Sequence, residues 1–166
     1  KSNVSRNIMV NQKLNFITLS LFSILLINCS EGTKPTNNST FGFKNLNSSF
    51  DSKTNIFIRR YSYDDSIAIK VVLTKDERKK ILHAFLENKF QKLPNKINCT
   101  SWGVSPKIYE SIFLDNSIVE YTHNSNDKKW FCFGGEKFNK INAVMQNIIL
   151  SKPEIKKLKP SEIAYE

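Results

Sequence analysis

Three cysteines, two histidines and a few spaced acids are the groups in this 166-residue chain whose types and positions could do chemistry. Cys29 stands directly behind the apolar run Leu14–Ile27, where a thiol is a candidate for acylation. Cys99 and Cys132 form an even pair, which in an exported domain reads as a disulfide. Such a bridge closes a loop of about 34 residues, for which the chain-entropy model gives roughly 3.5–4 kcal/mol. The competing role, a reactive thiol, needs a helix start or a basic neighbour that lowers its pKa. Neither is visible in sequence around these two residues.

Glu110 and Glu120 flank the Asp115-Asn116 turn, and carboxylates facing each other across a hairpin could divide acid and base duties. Hairpin glutamates also serve simply to keep a strand soluble. His83 and His123 lack the spacing of a zinc site, and Asn124–Asp127 lacks the residue order of a calcium loop, so no metal is expected. Gly134-Gly135 precedes a helix start and could cradle an anion through free N–H groups. Without a Lys-Ser continuation, strand termination is the expected role. No nucleophile elbow is present, so neither an enzyme nor a cofactor is expected.

The run Leu14–Ile27 is 14 residues long and is interrupted by Asn15, Thr18, Ser20 and Ser23. As a helix it spans roughly 21 Å, short of the bilayer's hydrocarbon core of about 30 Å. With Lys13 ahead of it, it reads as the apolar core of a secretory signal covering residues 1–28. Met9 is a candidate start, and residues 1–8 are set aside from fold reasoning.

Leu26-Ile27-Asn28-Cys29 resembles the lipobox of bacterial lipoproteins, with Leu at −3, an aliphatic residue at −2 and the modified Cys. Asn28 departs from the Gly, Ala or Ser usual at −1. The resemblance covers about the first thirty residues. It implies a diacylglyceryl thioether on Cys29, an acylated amino group and a location in the cell envelope. Ser30 fits outer-membrane sorting. The resemblance implies nothing about the fold that follows.

Residues 29–166 have the length of a single domain with one core. Three of the 25 basic residues, and none of the 15 acidic ones, precede Cys29, which leaves a net charge of +7 after it. Such a surface could meet nucleic acid, anionic lipid or acidic glycans. The envelope location makes nucleic acid an unexpected partner. Residues 29–53, rich in Ser, Asn and Thr, read as a lipidated Cys followed by a flexible tether, tempered by Phe41, Phe43, Leu46 and Phe50.

Residues 54–166 read as one α+β domain. Strict alternation over 54–73, broken at Asp64-Asp65, predicts a hairpin. Thr74-Lys75-Asp76-Glu77 matches a capping box, with a helix to about Phe90. A loop over 95–106 carries Cys99 and Trp102. A second hairpin spans Lys107–Leu114 and Ser117–Thr122, a fifth strand Lys129–Phe133, and a second helix runs to Leu150. The tail beyond Pro153 is charged, with Leu158 and Ile163 available to dock. The order ββαβββα implies an antiparallel sheet of about five strands, with both helices on one face.

The uncovered face is expected to carry Phe57, Arg59, Tyr61 and Tyr63, with Lys70 across the hairpin and Trp102 nearby. Aromatic rings interleaved with cations can bind planar or sugar rings and anions. They are equally how a solvated sheet face stabilises itself. The expected role is a lipid-anchored, non-catalytic binding module with a protein or glycan partner. An anchored inhibitor or immunity-type protein and a small envelope hydrolase are the alternatives. Replacing Cys29 by Ser is expected to abolish incorporation of labelled palmitate and release the protein from membranes. Unchanged labelling and retention would refute the anchor.

Overall fold

A computed structural model describes residues 34–101, 106–124 and 132–163, and residues 33–166 form one compact unit. The signal segment and Cys29 lie outside the described residues. The architecture is α+β. Seven strands form one mixed sheet: β1 (Phe41–Lys44), β2 (Ser48–Asp51), β3 (Ile56–Arg60), β4 (Ser66–Lys70), β5 (Lys96–Cys99), β6 (Lys107–Leu114) and β7 (Ser117–Asn124). Their spatial order is β4-β3-β2-β1-β6-β7-β5. Every pairing is antiparallel except β5 with β7. Helix α1 (Lys75–Glu87) follows β4, and α2 (Gly135–Leu150) and the short α3 (Pro153–Lys156) close the chain.

Three sequence expectations are corrected here. Within the stretch read as a tether, residues 41–51 are two strands near the centre of the sheet. Phe41, Phe43 and Phe50 are fully buried there, and alternation over four residues is too brief to outweigh the surrounding Asn and Ser. The turn between these strands is built by Asn45, whose side-chain oxygen accepts from the amides of Asn47 and Ser48. Arg78 of α1 then fastens the segment ahead of β1, donating to the carbonyls of Asn37 and Ser39 and covering the Phe41 ring.

The second correction concerns the loop over 95–106, which contains β5, paired in parallel with β7 at the sheet's edge. A parallel neighbour has no hairpin turn to announce it. Third, Cys132 and Phe133 are not in a strand, and the remainder of the expected fifth strand lies outside the described residues.

Other expectations are met. The β3–β4 and β6–β7 hairpins stand as read, and Asp115 supplies the positive φ (52°) at the tip of the second. Its carboxylate accepts from the Thr40 amide at 2.7 Å, tying that tip to the start of β1. Both helices pack on the same sheet face: Phe85 of α1 meets Phe41, and Phe138 of α2 meets Tyr121. Ile81 of α1 and Ile141, Met145 and Ile149 of α2 are fully buried, whereas Leu86 of α1 is about half exposed. Leu158 packs against the core as the tail leaves α3. Among the described residues no helix is long and apolar enough to cross a membrane.

The capping box at α1 is complete: Thr74 Oγ1 accepts from the Glu77 amide, and the Glu77 carboxylate accepts from the Thr74 amide. The same carboxylate takes a 2.7 Å bond from Lys152, which precedes α3, so a single acid fastens two distant helix starts. The Lys152 bond foremost, then the Thr74 amide, holds Glu77 below the ordinary glutamate pKa of 4.5. A carboxyl lowered by folding stabilises above its unfolded pKa, and that stability is lost as pH falls through the folded value. Lys152→Met is therefore expected to destabilise by up to about 1 kcal/mol near neutrality. The gap from wild type in urea unfolding should close as pH drops below the glutamate range; a gap that persists in acid would refute the linkage.

Candidate functional site

Helices cover one face of the sheet, and pair register determines what the other face presents. A single row of directly paired residues, Ile69–Phe57–Phe50–Phe43–Ile112–Val119, crosses six strands on the covered side. Residues one step along each strand must therefore point to the opposite face. That face carries Ile56, Ile58 and Arg60 of β3, Lys44 of β1, Lys107, Tyr109 and Ser111 of β6, and Glu120 and Thr122 of β7.

This parity divides the residues expected on the open face. Phe57 is fully buried beneath the helices. Arg59 shares its side, lies over the Phe57 ring at 5.6 Å and donates to the Lys159 carbonyl of the tail. Tyr61 and Tyr63 sit in the turn after β3; Tyr61 is half-buried and Tyr63 is exposed. Lys70 is exposed opposite Ile56 on the open side. Trp102 lies outside the described residues. An inward Ile56 and Ile58 would satisfy the two-residue period equally well, so alternation alone cannot choose between the faces.

The open face bears a broad depression of about 1000 Å³. Ser111 and Thr122 line it together with Lys44, Arg60, Lys107 and Tyr109, and Tyr63 joins them from the turn. Arg60 is oriented by the carbonyls of Asn45 and Leu46. Lys96 and Glu120 face each other across β5 and β7 at 3.7 Å, well exposed. Among the described residues, neither Lys44 nor Lys107 has an acid within ion-pair distance. The lining thus sets Lys44, Arg60, Lys96 and Lys107 against two acids, Glu110 and Glu120, a cationic excess that with its tyrosines suits an anion or a ring.

Lys44, Arg60, Lys107 and Tyr109 are site residues that the sequence reading misses. The signal exists for β6: a two-residue Asp115-Asn116 turn fixes the pairing, and with it which alternate residues share Tyr109's side. The same register separates the carboxylate pair. Glu110 is opposite Tyr121 and Glu120 is opposite Ser111, so the two acids point to different faces. Glu110 instead lies 3.6 Å from His123 Nε2, with both side chains mostly buried. The His123 ring stacks on Tyr121, and its Nδ1 approaches the Asn124 carbonyl at 3.2 Å. His83 is exposed on α1, 3.3 Å from Glu87 one turn on.

The Cys99–Cys132 disulfide is present, with Cα atoms 5.6 Å apart. It accounts for Gly135, whereas Gly134 answers to its backbone and to apolar neighbours. A Cβ on Gly135 would lie 3.0 Å from Cys132 Sγ and 3.2 Å from Cys99 Sγ. Gly134 has φ of 85° and abuts Ile97 and Leu93. The pair lets α2 start directly against the bridge.

No protein-family model matches this chain, and searches of curated proteins and of solved structures find no match.

The assignment of faces has a direct measure in stability. Phe57→Ala is expected to cost about 3–5 kcal/mol, the range for emptying a buried aromatic site. Lys70→Ala, on the solvated face of an edge strand, should stay within about 0.5 kcal/mol of wild type. Chemical denaturation of both variants checks this, and a mild Phe57→Ala would invert the assignment.

Proposed function

We propose that this chain is a lipid-anchored, non-catalytic binding module of a bacterial cell envelope, which holds an anionic ligand on its open sheet face. The observation that carries the reading is the depression in which Lys44, Lys107 and Arg60 stand beside Tyr109 and Tyr63. Cations without acidic partners retain their charge for a ligand, and the tyrosine rings offer flat, rigid contact area. An acidic glycan, which presents carboxylates on sugar rings, matches both halves of that lining.

The disulfide supports a location outside the reducing cytoplasm. The anchor rests on the lipobox-like Leu26-Ile27-Asn28-Cys29. Acylation at two or more chains holds a protein stably at a membrane, at about 0.8 kcal/mol per buried CH₂. The sheet face would then meet polymers concentrated near the same surface.

Calorimetric titration with an acidic polysaccharide, such as polygalacturonate, against a neutral dextran tests the ligand class. Binding is expected for the acidic polymer alone and should weaken as salt is raised. Combining Lys44→Glu with Lys107→Glu should reduce affinity about ten-fold or more, since each exposed contact contributes up to about 1 kcal/mol and the reversal adds repulsion. Equal binding of the neutral polymer, or an unaffected double variant, would overturn the assignment to this face.

A further inference from the structure

The outer edge of β4 is an unpaired strand edge of unusual self-complementarity. β4 ends the sheet, and among the described residues no segment pairs with its far side. Hydrogen bonds from Tyr61 to Asp65 and from Val71 to Asn55 bracket the hairpin. Antiparallel pairs alternate between bonded and non-bonded, so Ile67 and Ile69 direct their backbone groups inward to β3. The N–H and C=O groups of Ser66, Ala68 and Lys70 consequently point outward. Edges of this kind are normally blunted by proline, a bulge or central charges. Here the strand is Ser-Ile-Ala-Ile-Lys, with one charge at its end, and Ser66, Ile67 and Ala68 are all exposed.

We infer that β4 pairs with β4 of a second copy of this chain, antiparallel about a two-fold axis through Ala68. That axis sets Ala68 against Ala68 and Ser66 against Lys70 of the other copy. These are the residues whose backbone groups face outward, so their amides and carbonyls bond across the axis. Ile67 then lies against Ile69 of the second copy on the helix-covered side, where Ile69 already packs against the core. The isoleucines would close that apolar margin in a non-bonded pair, the closer of the two pair types. On the open side Lys70 comes opposite Ser66, with Asp64 of the same copy two residues upstream. No like charges are opposed along the paired residues. A two-fold interface must satisfy all of these conditions with one patch, and this strand does.

The opposite edge does not offer the same match. β5 has four residues, and its last, Cys99, is tied by the disulfide to Cys132, just ahead of α2. The β4 contact uses neither Lys44 nor Lys107, so it stands independently of ligand binding in the depression.

Sedimentation of the full chain in non-ionic detergent is expected to show a monomer passing to a dimer as concentration rises. Ala68→Pro removes an N–H that has no partner in the monomer, and edge strands accept proline where that group faces solvent. The variant should remain monomeric throughout with little change in melting temperature. In wild-type protein, amide exchange over residues 66–70 should slow at least about ten-fold from dilute to concentrated samples. Exchange independent of concentration overturns the inference whether or not the proline variant folds. So does an Ala68→Pro protein that still dimerises.

Discussion

Phe43, Phe50 and Phe57 lie side by side in one cross-strand row, and most of the molecule follows from the need to keep those rings dry. Burying each is worth about 1.5–3 kcal/mol. The row continues through Ile112 and Val119, so register is fixed on both sides of β1 at once. A slip of one residue in any strand would send its aromatic to the solvated face and bring a serine, lysine or isoleucine inward. Helices α1 and α2 complete the layer from above, with Phe85, Phe138, Ile141 and Met145 as their contribution. The open face is what remains: it can carry lysines and serines because the opposite side supplies the core.

Much of this is legible where the pattern is long or the chemistry local. The α1 capping box, the tight turn at Asp115-Asn116 and the apolar repeat of α2 each depend on residues within a few positions of one another. The disulfide is legible from cysteine number and expected location. What escapes is set by distant partners. β1 and β2 alternate over four residues each, too few to stand out among Asn and Ser, and their burial comes from neighbours elsewhere in the chain. β5 is a strand because β7 lies beside it, which no turn residue records.

For the candidate site, sequence identifies the right element with the wrong parity. Residues 56–63 hold apolar or aromatic side chains at both odd and even positions, so alternation cannot say which set is inward. The pairing of Phe57 with Phe50 decides it, and Phe50 belongs to the stretch that reads as a tether. One omission thus produces the other. For Glu110 and Glu120 the turn geometry already separates the two side chains onto opposite faces, and that inference is available from sequence. The depression itself draws on β1, β6 and the β3–β4 turn, a combination visible only once the sheet is assembled.

The position of β1 has a bearing on how this protein acquires its shape. It is the earliest strand of the sheet in chain order, yet one of its neighbours, β6, is more than sixty residues further along. Closing so large a loop is entropically unfavourable until the helices and the second hairpin exist to reward it. Phe43 can pair with Phe50 of β2 locally, but full burial of Phe41 and Phe43 needs β6 and the helices as well. A fragment that stops short of β6 would therefore leave those two rings without most of the surface that keeps them from water.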